Sequence, residues 1–192
     1  MGLTAGIPRK PLGLNLRNFL SLMQNRAQPW SNAASTAPRW PRKSTAPARY
    51  FGYSDDQANT WSTWAKINDD TGTNSQFLPR IAVDQATGKI AISWYDCRND
   101  PPNTSSQFYA TISTDGGTTF WPNFRVSGRL KSNARSTYPS GGGIDYGDYS
   151  DIAFQNGVFF SIWADNSNST GDNPPEGTLN KFDIYTRKVI VP

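Results

Sequence analysis

Aspartate and arginine alternate behind two aromatic residues in the run Trp94-Tyr95-Asp96-Cys97-Arg98-Asn99-Asp100. Carboxylates interleaved with a guanidinium can hold a polar or anionic ligand through charge-assisted hydrogen bonds, and Trp94 and Tyr95 would serve as apolar platforms beside it. Asp96, Arg98 and Asp100 can equally form an ion-pair and turn network with no ligand. Cys97 has no histidine partner in the chain and reads as an inert thiol. A second cluster, from Gly141 to Asp151, places Asp145, Asp148 and Asp151 on a glycine-rich stretch that allows close backbone approach to a cation or a sugar. It lacks the Gly-Lys-Ser/Thr ending of a phosphate-binding loop. The third, Asp165 to Glu176, offers Asp165, Ser167, Ser169, Asp172 and Glu176 as oxygen ligands for calcium. Its Gly171 falls one place later than an EF-hand requires, and Pro174 and Pro175 interrupt the rest. A solvated polar turn is the competing reading, and no other cofactor is expected.

Composition removes many other mechanisms. The 192 residues include no histidine and one cysteine, which excludes a Ser-His-Asp relay, a Cys-His dyad, a His-ligated zinc and an internal disulfide. No stretch approaches the roughly 20 apolar residues of a membrane-spanning helix.

The elements that would position these clusters are short strands. Ile81–Val83, Ile90–Tyr95, Gln107–Ile112, Ile152–Phe154, Val158–Trp163 and Phe182–Thr186 are rich in β-branched and aromatic residues. Asp84 to Gly88 and Gln155-Asn156-Gly157 supply tight turns between them, Asn-Gly being suited to positive φ. The amino-terminal part differs in kind. Residues 1–47 form a Pro/Ala/Ser-rich leader, and the first 50 residues carry eight basic side chains and no acidic one, whereas the remainder carries 11 basic against 15 acidic. The leader is expected to be mostly disordered, since its apolar content cannot offset the cost of ordering it. Leu12, Leu16, Phe19, Leu20 and Met23 have amphipathic helical spacing, so a targeting or surface-anchoring segment is an alternative. Nucleic-acid binding is not expected of the chain.

The strand-rich part repeats itself. Ser54, Asp56, Ala58, Thr60 and Trp61 match Ser113, Asp115, Gly117, Thr119 and Phe120 in a Ser-x-Asp-x-small-x-Thr-aromatic pattern, about 60 residues apart. A second echo links the run from Pro79 to Asp96 with that from Tyr149 to Asp165: strand, turn, then a strand ending in Trp-x-Asp. The octet Ser113–Phe120 resembles the Asp-box, the bacterial neuraminidase (BNR) repeat of sialidases and sialidase-like β-propellers; the octet at Ser54 differs in carrying Ala58 in place of glycine. The resemblance covers about residues 48–192 and implies an all-β, partial β-propeller of the sialidase-like type. Residues 48–68 would supply the last two strands of one blade, 77–127 a complete blade and 148–190 three strands of another, about two blades in all, as in a fragment of a larger propeller.

In that family the box is a structural turn, so Ser54, Asp56, Trp61, Ser113, Asp115, Gly117 and Phe120 are expected to be fold markers. Family sialidases hold the substrate carboxylate with an arginine cluster and use a Tyr-Glu nucleophile pair and an acid/base Asp. The single glutamate, Glu176, has no tyrosine matched to it, and none of the arginines aligns with a triad position. The expectation is therefore a glycan- or sialoside-binding propeller that lacks catalysis by itself, with Arg80, Trp94 and Tyr95 on the ligand. The alternatives are an exo-α-sialidase-type glycoside hydrolase, with Asp96 or Asp148 as proton donor and Arg98 beside it, and a non-catalytic interaction scaffold. The resemblance implies an extracellular or cell-surface setting, although no signal peptide is visible, and partnership with further blades or with other copies.

Overall fold

The structure, a computed structural model, describes residues 49–128, 132, 133, 146, 150–167 and 182–192. The leader 1–47, its amphipathic stretch and most of the two polar loops at 141–151 and 165–176 lie outside them. Ten strands and no helix make up the described part: β1 (Tyr50–Phe51), β2 (Ala65–Lys66), β3 (Gln76–Val83), β4 (Ile90–Asp96), β5 (Ser105–Ser113), β6 (Phe124–Arg125), β7 (Ser132–Asn133), β8 (Asp151–Gln155), β9 (Val158–Asp165) and β10 (Asp183–Ile190).

They form three antiparallel sheets: the β1-β2 pair, the meander β3-β4-β5-β6 with β7 added to the start of β5, and the meander β8-β9-β10. The described part is all-β, as the strand pattern predicts. The expected strands are present, but β3 begins earlier, at Gln76, and the last begins at Asp183, after Phe182. β3 is irregular between Phe77 and Arg80, where Leu78 takes φ 48°. The cause is local, since Pro79 has no N–H to give the ladder and extra chain must be accommodated there.

β4 is buried along its whole length and separates two cores. Ile90, Ile92 and Trp94 point one way, onto Phe51 and Ile67 of the first sheet. Ala91 and Tyr95 point the other way, with Phe108, Ala110 and Ile112, onto Ile152, Phe154, Phe159 and Trp163 of the third sheet. Alternation with period two is what lets one strand serve two interfaces. Aromatic rings fill the second interface: Phe108 stacks on Trp163 at 5.2 Å and Phe77 on Tyr95 at 5.2 Å. Because neighbouring strands are antiparallel, the β3–β4, β5–β6 and β8–β9 turns share one end of the sheets, here the turn end. The β2–β3 connection and the β4–β5 loop share the other, the loop end.

Candidate functional site

The turn end is built from carboxylates that serve the backbone. Asp115 accepts hydrogen bonds from Thr119 N at 2.9 Å, Thr119 Oγ1 at 2.6 Å and Ser113 Oγ at 2.8 Å, while Ser113 Oγ also accepts from Gly117 N at 2.7 Å. In the other octet Asp56 accepts from Thr60 N at 2.8 Å, Thr60 Oγ1 at 2.6 Å and Ser54 Oγ at 2.8 Å, and Ser54 Oγ from Ala58 N at 2.8 Å. The two turns therefore use the same bonds to within 0.1 Å. Bonds from the threonine hydroxyl, the threonine N–H and the serine hydroxyl favour the charged form, so the Asp115 carboxyl falls to about 2 and Asp56 is lowered likewise. Gly117 has φ 94°, and a β-carbon there would meet the Phe51 ring at 2.5 Å. Ala58 takes φ 67° at the matching place, so this octet holds a left-handed residue without glycine's freedom. Phe120 closes edge-on over Phe51 at 5.1 Å, and Trp61 stacks on Trp64 at 6.1 Å.

Sequence reasoning treats Asp84 only as a turn residue; the structure makes it the bond between sheets. Its buried carboxylate accepts from Ala86 N at 2.9 Å and Thr87 Oγ1 at 2.7 Å in its own turn. It also accepts from Asn156 N at 3.0 Å and Gly157 N at 2.6 Å in the β8–β9 turn. Asn156 and Gly157 both have positive φ, as the Asn-Gly pair predicts, and that conformation aims their N–H groups at one point. Burial alone would raise the Asp84 carboxyl, but these bonds outweigh it and hold it at about 2. Arg80 joins the same seam, donating from Nε to Ser150 O.

At the loop end Arg98 is a hub. Nη2 and Nε donate to Asp96 Oδ2 at 2.7 and 2.9 Å, Nη1 donates to Asp69 at 2.6 Å, and Nη2 also reaches Asn123 Oδ1 at 2.9 Å and lies 3.5 Å from Asp70. The guanidinium sits 4.5 Å above the Tyr109 ring. Burial alone would lower its pKa, but the bond and charge of Asp96 outweigh that and raise it. Asp96 accepts in addition from Trp94 Nε1 at 2.7 Å and Arg98 N at 2.8 Å. The third sheet repeats the clasp: Asp165 accepts from Trp163 Nε1 at 3.2 Å and Ser167 N at 2.7 Å. The shared part of this cluster, Trp-x-Asp, is thus a strand-ending device of both the second and the third sheet.

The expected site residues separate accordingly. Trp94 and Tyr95 are 0% and 1% exposed, so their rings pack against the protein's own sheets and present no face to a ligand. Tyr95 OH bonds to Ala164 O at 3.0 Å, and burial drives its pKa well above the ordinary tyrosine value. Asp96 and Arg98 are joined, as the ion-pair reading holds, while Asp100 turns back to accept from Thr104 N at 2.8 Å and Ser105 N at 2.9 Å in its own loop. Arg80 lies at the seam to β8. Asp145, Asp148, Asp172 and Glu176 fall outside the described residues. Among the described residues no group of three or more His, Cys, Asp or Glu is placed to hold a metal ion. They include no helix long and apolar enough to cross a membrane.

Arg49 is the residue that sequence reasoning misses, counted there only among the eight basic side chains of the first 50 residues. It is 3% exposed, and its Nε and Nη2 have no hydrogen-bond partner. Burial lowers its pKa to about 10, with Asp96 opposing the shift. Its backbone N–H donates to Asn68 Oδ1 at 2.7 Å, and Asn68 Nδ2 donates in turn to Asp70 Oδ1 at 2.6 Å, leaving the buried Asp70 Oδ2 without a partner. The loop end thus holds unspent donors and an unspent acceptor around one asparagine, beside three carboxylates (Asp69, Asp70, Asp96) and two guanidinium groups.

No family model matches the chain, and no curated protein matches it. Among solved structures it is similar to the Penicillium chrysogenum alpha-L-arabinanase complexed with arabinobiose, at 15% identity and a TM-score of 0.40. That match covers 74% of this chain and 36% of the arabinanase, so the chain spans about a third of that structure's length.

Proposed function

We propose that the chain is a sialidase-like, Asp-box β-propeller array that binds glycans at the loop end of its sheets, in an extracellular or cell-surface setting. The family reading is supported by the two Ser-x-Asp turns, alike in the four bonds made by their Asp and Ser side chains and set at the same end of successive sheets. The binding reading rests on Arg49: its guanidinium is closed off with two unspent nitrogens, which costs stability, so a ligand that opens the loop end and accepts from them would relieve that cost. Sugar hydroxyls both donate and accept, so they match the donors of Arg49 and the free oxygen of Asp70 together. A carboxylate accepts only, and it would meet three like charges against two opposite ones. Neutral glycans are therefore favoured over sialosides. Sialoside cleavage would need a carboxyl free to pass a proton, and Asp96 is fully engaged by Trp94 and Arg98.

Arg49→Met tests the reading because it separates binding from folding. A purely structural arginine would leave a less stable protein when lost, whereas removal of a buried charge with two unbonded nitrogens should raise stability by about 1–2 kcal/mol. The expected result is a higher melting temperature in the absence of sugar together with loss of the melting shift that neutral oligosaccharides give the native chain. A destabilised Arg49→Met variant with its sugar-induced shift intact overturns the proposal. Turnover of a fluorogenic sialoside by the native chain overturns the binding-only part of it.

A further inference from the structure

Asn156 is the only asparagine of the chain that a glycine follows, and that pair carries a chemistry of its own beside its turn geometry. Glycine has no side chain to shield its backbone nitrogen, so the Gly157 nitrogen can reach the Cγ of Asn156 and close a five-membered ring. A base removes the proton from Gly157 N, the nitrogen bonds to Cγ, and the Cγ–Nδ2 bond breaks as ammonia leaves with a proton from water. Water then opens the resulting succinimide at either carbonyl, giving aspartate when it adds at Cγ and isoaspartate when it adds at the backbone carbon. The electrophile is accessible, since Asn156 is exposed and its side-chain oxygen meets only the exposed end of Gln155 at 3.4 Å.

The nucleophile, by contrast, is held. Gly157 N is buried and donates to Asp84 Oδ2 at 2.6 Å, Asn156 N donates to Oδ1 of the same carboxylate at 3.0 Å, and Gly157 O accepts from Val191 N at 2.8 Å. Turning the nitrogen toward Cγ would swing its N–H off Asp84 and break a charge-assisted bond. Removing its proton in place would set an anionic nitrogen against a carboxylate, two like charges in a site closed to water. With its carboxyl held at about 2, Asp84 is too weak a base to take that proton itself. The same bond joins the second sheet to the third, so the nitrogen is released only where that seam opens.

We propose that Asn156 is a latent deamidation site that Asp84 keeps silent while the second and third sheets are joined. Conversion puts a second carboxylate beside Asp84, and isoaspartate adds a backbone carbon between the two N–H groups that Asp84 accepts from, so an opened seam is hindered from closing again. The test follows, in the full chain held at pH 8, the mass gain and isoaspartate content of the peptide containing residue 156, with near-UV circular dichroism reporting folding. The native chain is expected to convert at least tenfold more slowly when folded than in urea. Asp84→Ala is expected to speed conversion of the folded chain about tenfold to a hundredfold, the equilibrium equivalent of losing a hydrogen bond to a charged group. Asp84→Asn keeps the shape of the side chain and drops its charge; it is expected to speed conversion as well, and it serves if Asp84→Ala does not fold. Gly117→Ala, which loses stability where the second sheet meets Phe51 and leaves the Asp84 bonds intact, is expected to convert at the native rate. Equal native rates in the folded state and in urea overturn the proposal, as do folded Asp84 variants that convert no faster than native. Conversion of Gly117→Ala as fast as that of the Asp84 variants also overturns it, since the brake would then be overall stability and not one carboxylate.

Discussion

Replacing Asp84 by alanine removes one carboxylate from four donors in two sheets, and the cost can be worked from those donors. Ala86 and Thr87 lie on an exposed turn, so water can replace the carboxylate for them at little cost. Gly157 N is buried, and leaving it without an acceptor costs about 1–3 kcal/mol. Loss of the charge-assisted bond that joins the two turns adds about 1.5 kcal/mol, for a total of about 3 kcal/mol. For a chain of 192 residues that is a fall of about 6–12 °C in melting temperature. The assay is urea unfolding of native and Asp84→Ala protein followed by tryptophan fluorescence, repeated from pH 7 down to pH 2. The folded carboxyl is depressed to about 2 from 3.8, so its stabilisation is complete above the unfolded value and is lost as pH falls through that interval. The other carboxylates are common to both proteins and cancel in the difference. The gap between the two should therefore hold from neutral pH to about 4 and narrow below it. A gap under about 1 kcal/mol at pH 7, or one that widens in acid, refutes the inter-sheet lock.

The two octets predict opposite responses to the same pair of residues. Gly117→Ala should destabilise by about 3 kcal/mol, since its β-carbon would enter the Phe51 ring at a positive φ. Ala58→Gly should stabilise by about 0.5–1 kcal/mol by relieving a left-handed alanine; thermal melts of both variants decide, and a stability loss in Ala58→Gly contradicts the shared geometry. Cys97 is buried, and burial first, then Asp96 and Asp100, push its thiol up to about 12. It should not react with an aromatic disulfide reagent at pH 8 until urea unfolds the chain, and equal rates in both states would contradict that.

Local patterns make the strands and their turns legible in the sequence. The Ser-x-Asp octets, the Asn156-Gly157 turn and the strand pairs ending in Trp-x-Asp each have a short-range cause, so residue type and spacing were enough. Trp94 and Tyr95 read as ligand platforms in sequence, because aromatic residues beside charges look alike whether or not another sheet covers them, yet both are buried. Only the third sheet, packed on the far side of β4, shows that Tyr95 is enclosed. Asp84 shows the same limit: two of its donors are close in sequence, but Asn156 and Gly157 reach it only through the stacking of sheets. Arg49 carried no sequence signal beyond its charge, since lack of a partner is a property of the folded neighbourhood.

Glycan binding at the loop end is tested most directly by a glycan array probed with the native chain beside Arg49→Met. The account predicts that the native chain retains neutral oligosaccharides in preference to sialosides and that Arg49→Met loses that retention at least tenfold while remaining folded. Retention of no glycan by the native chain, or equal retention by the variant, would contradict it.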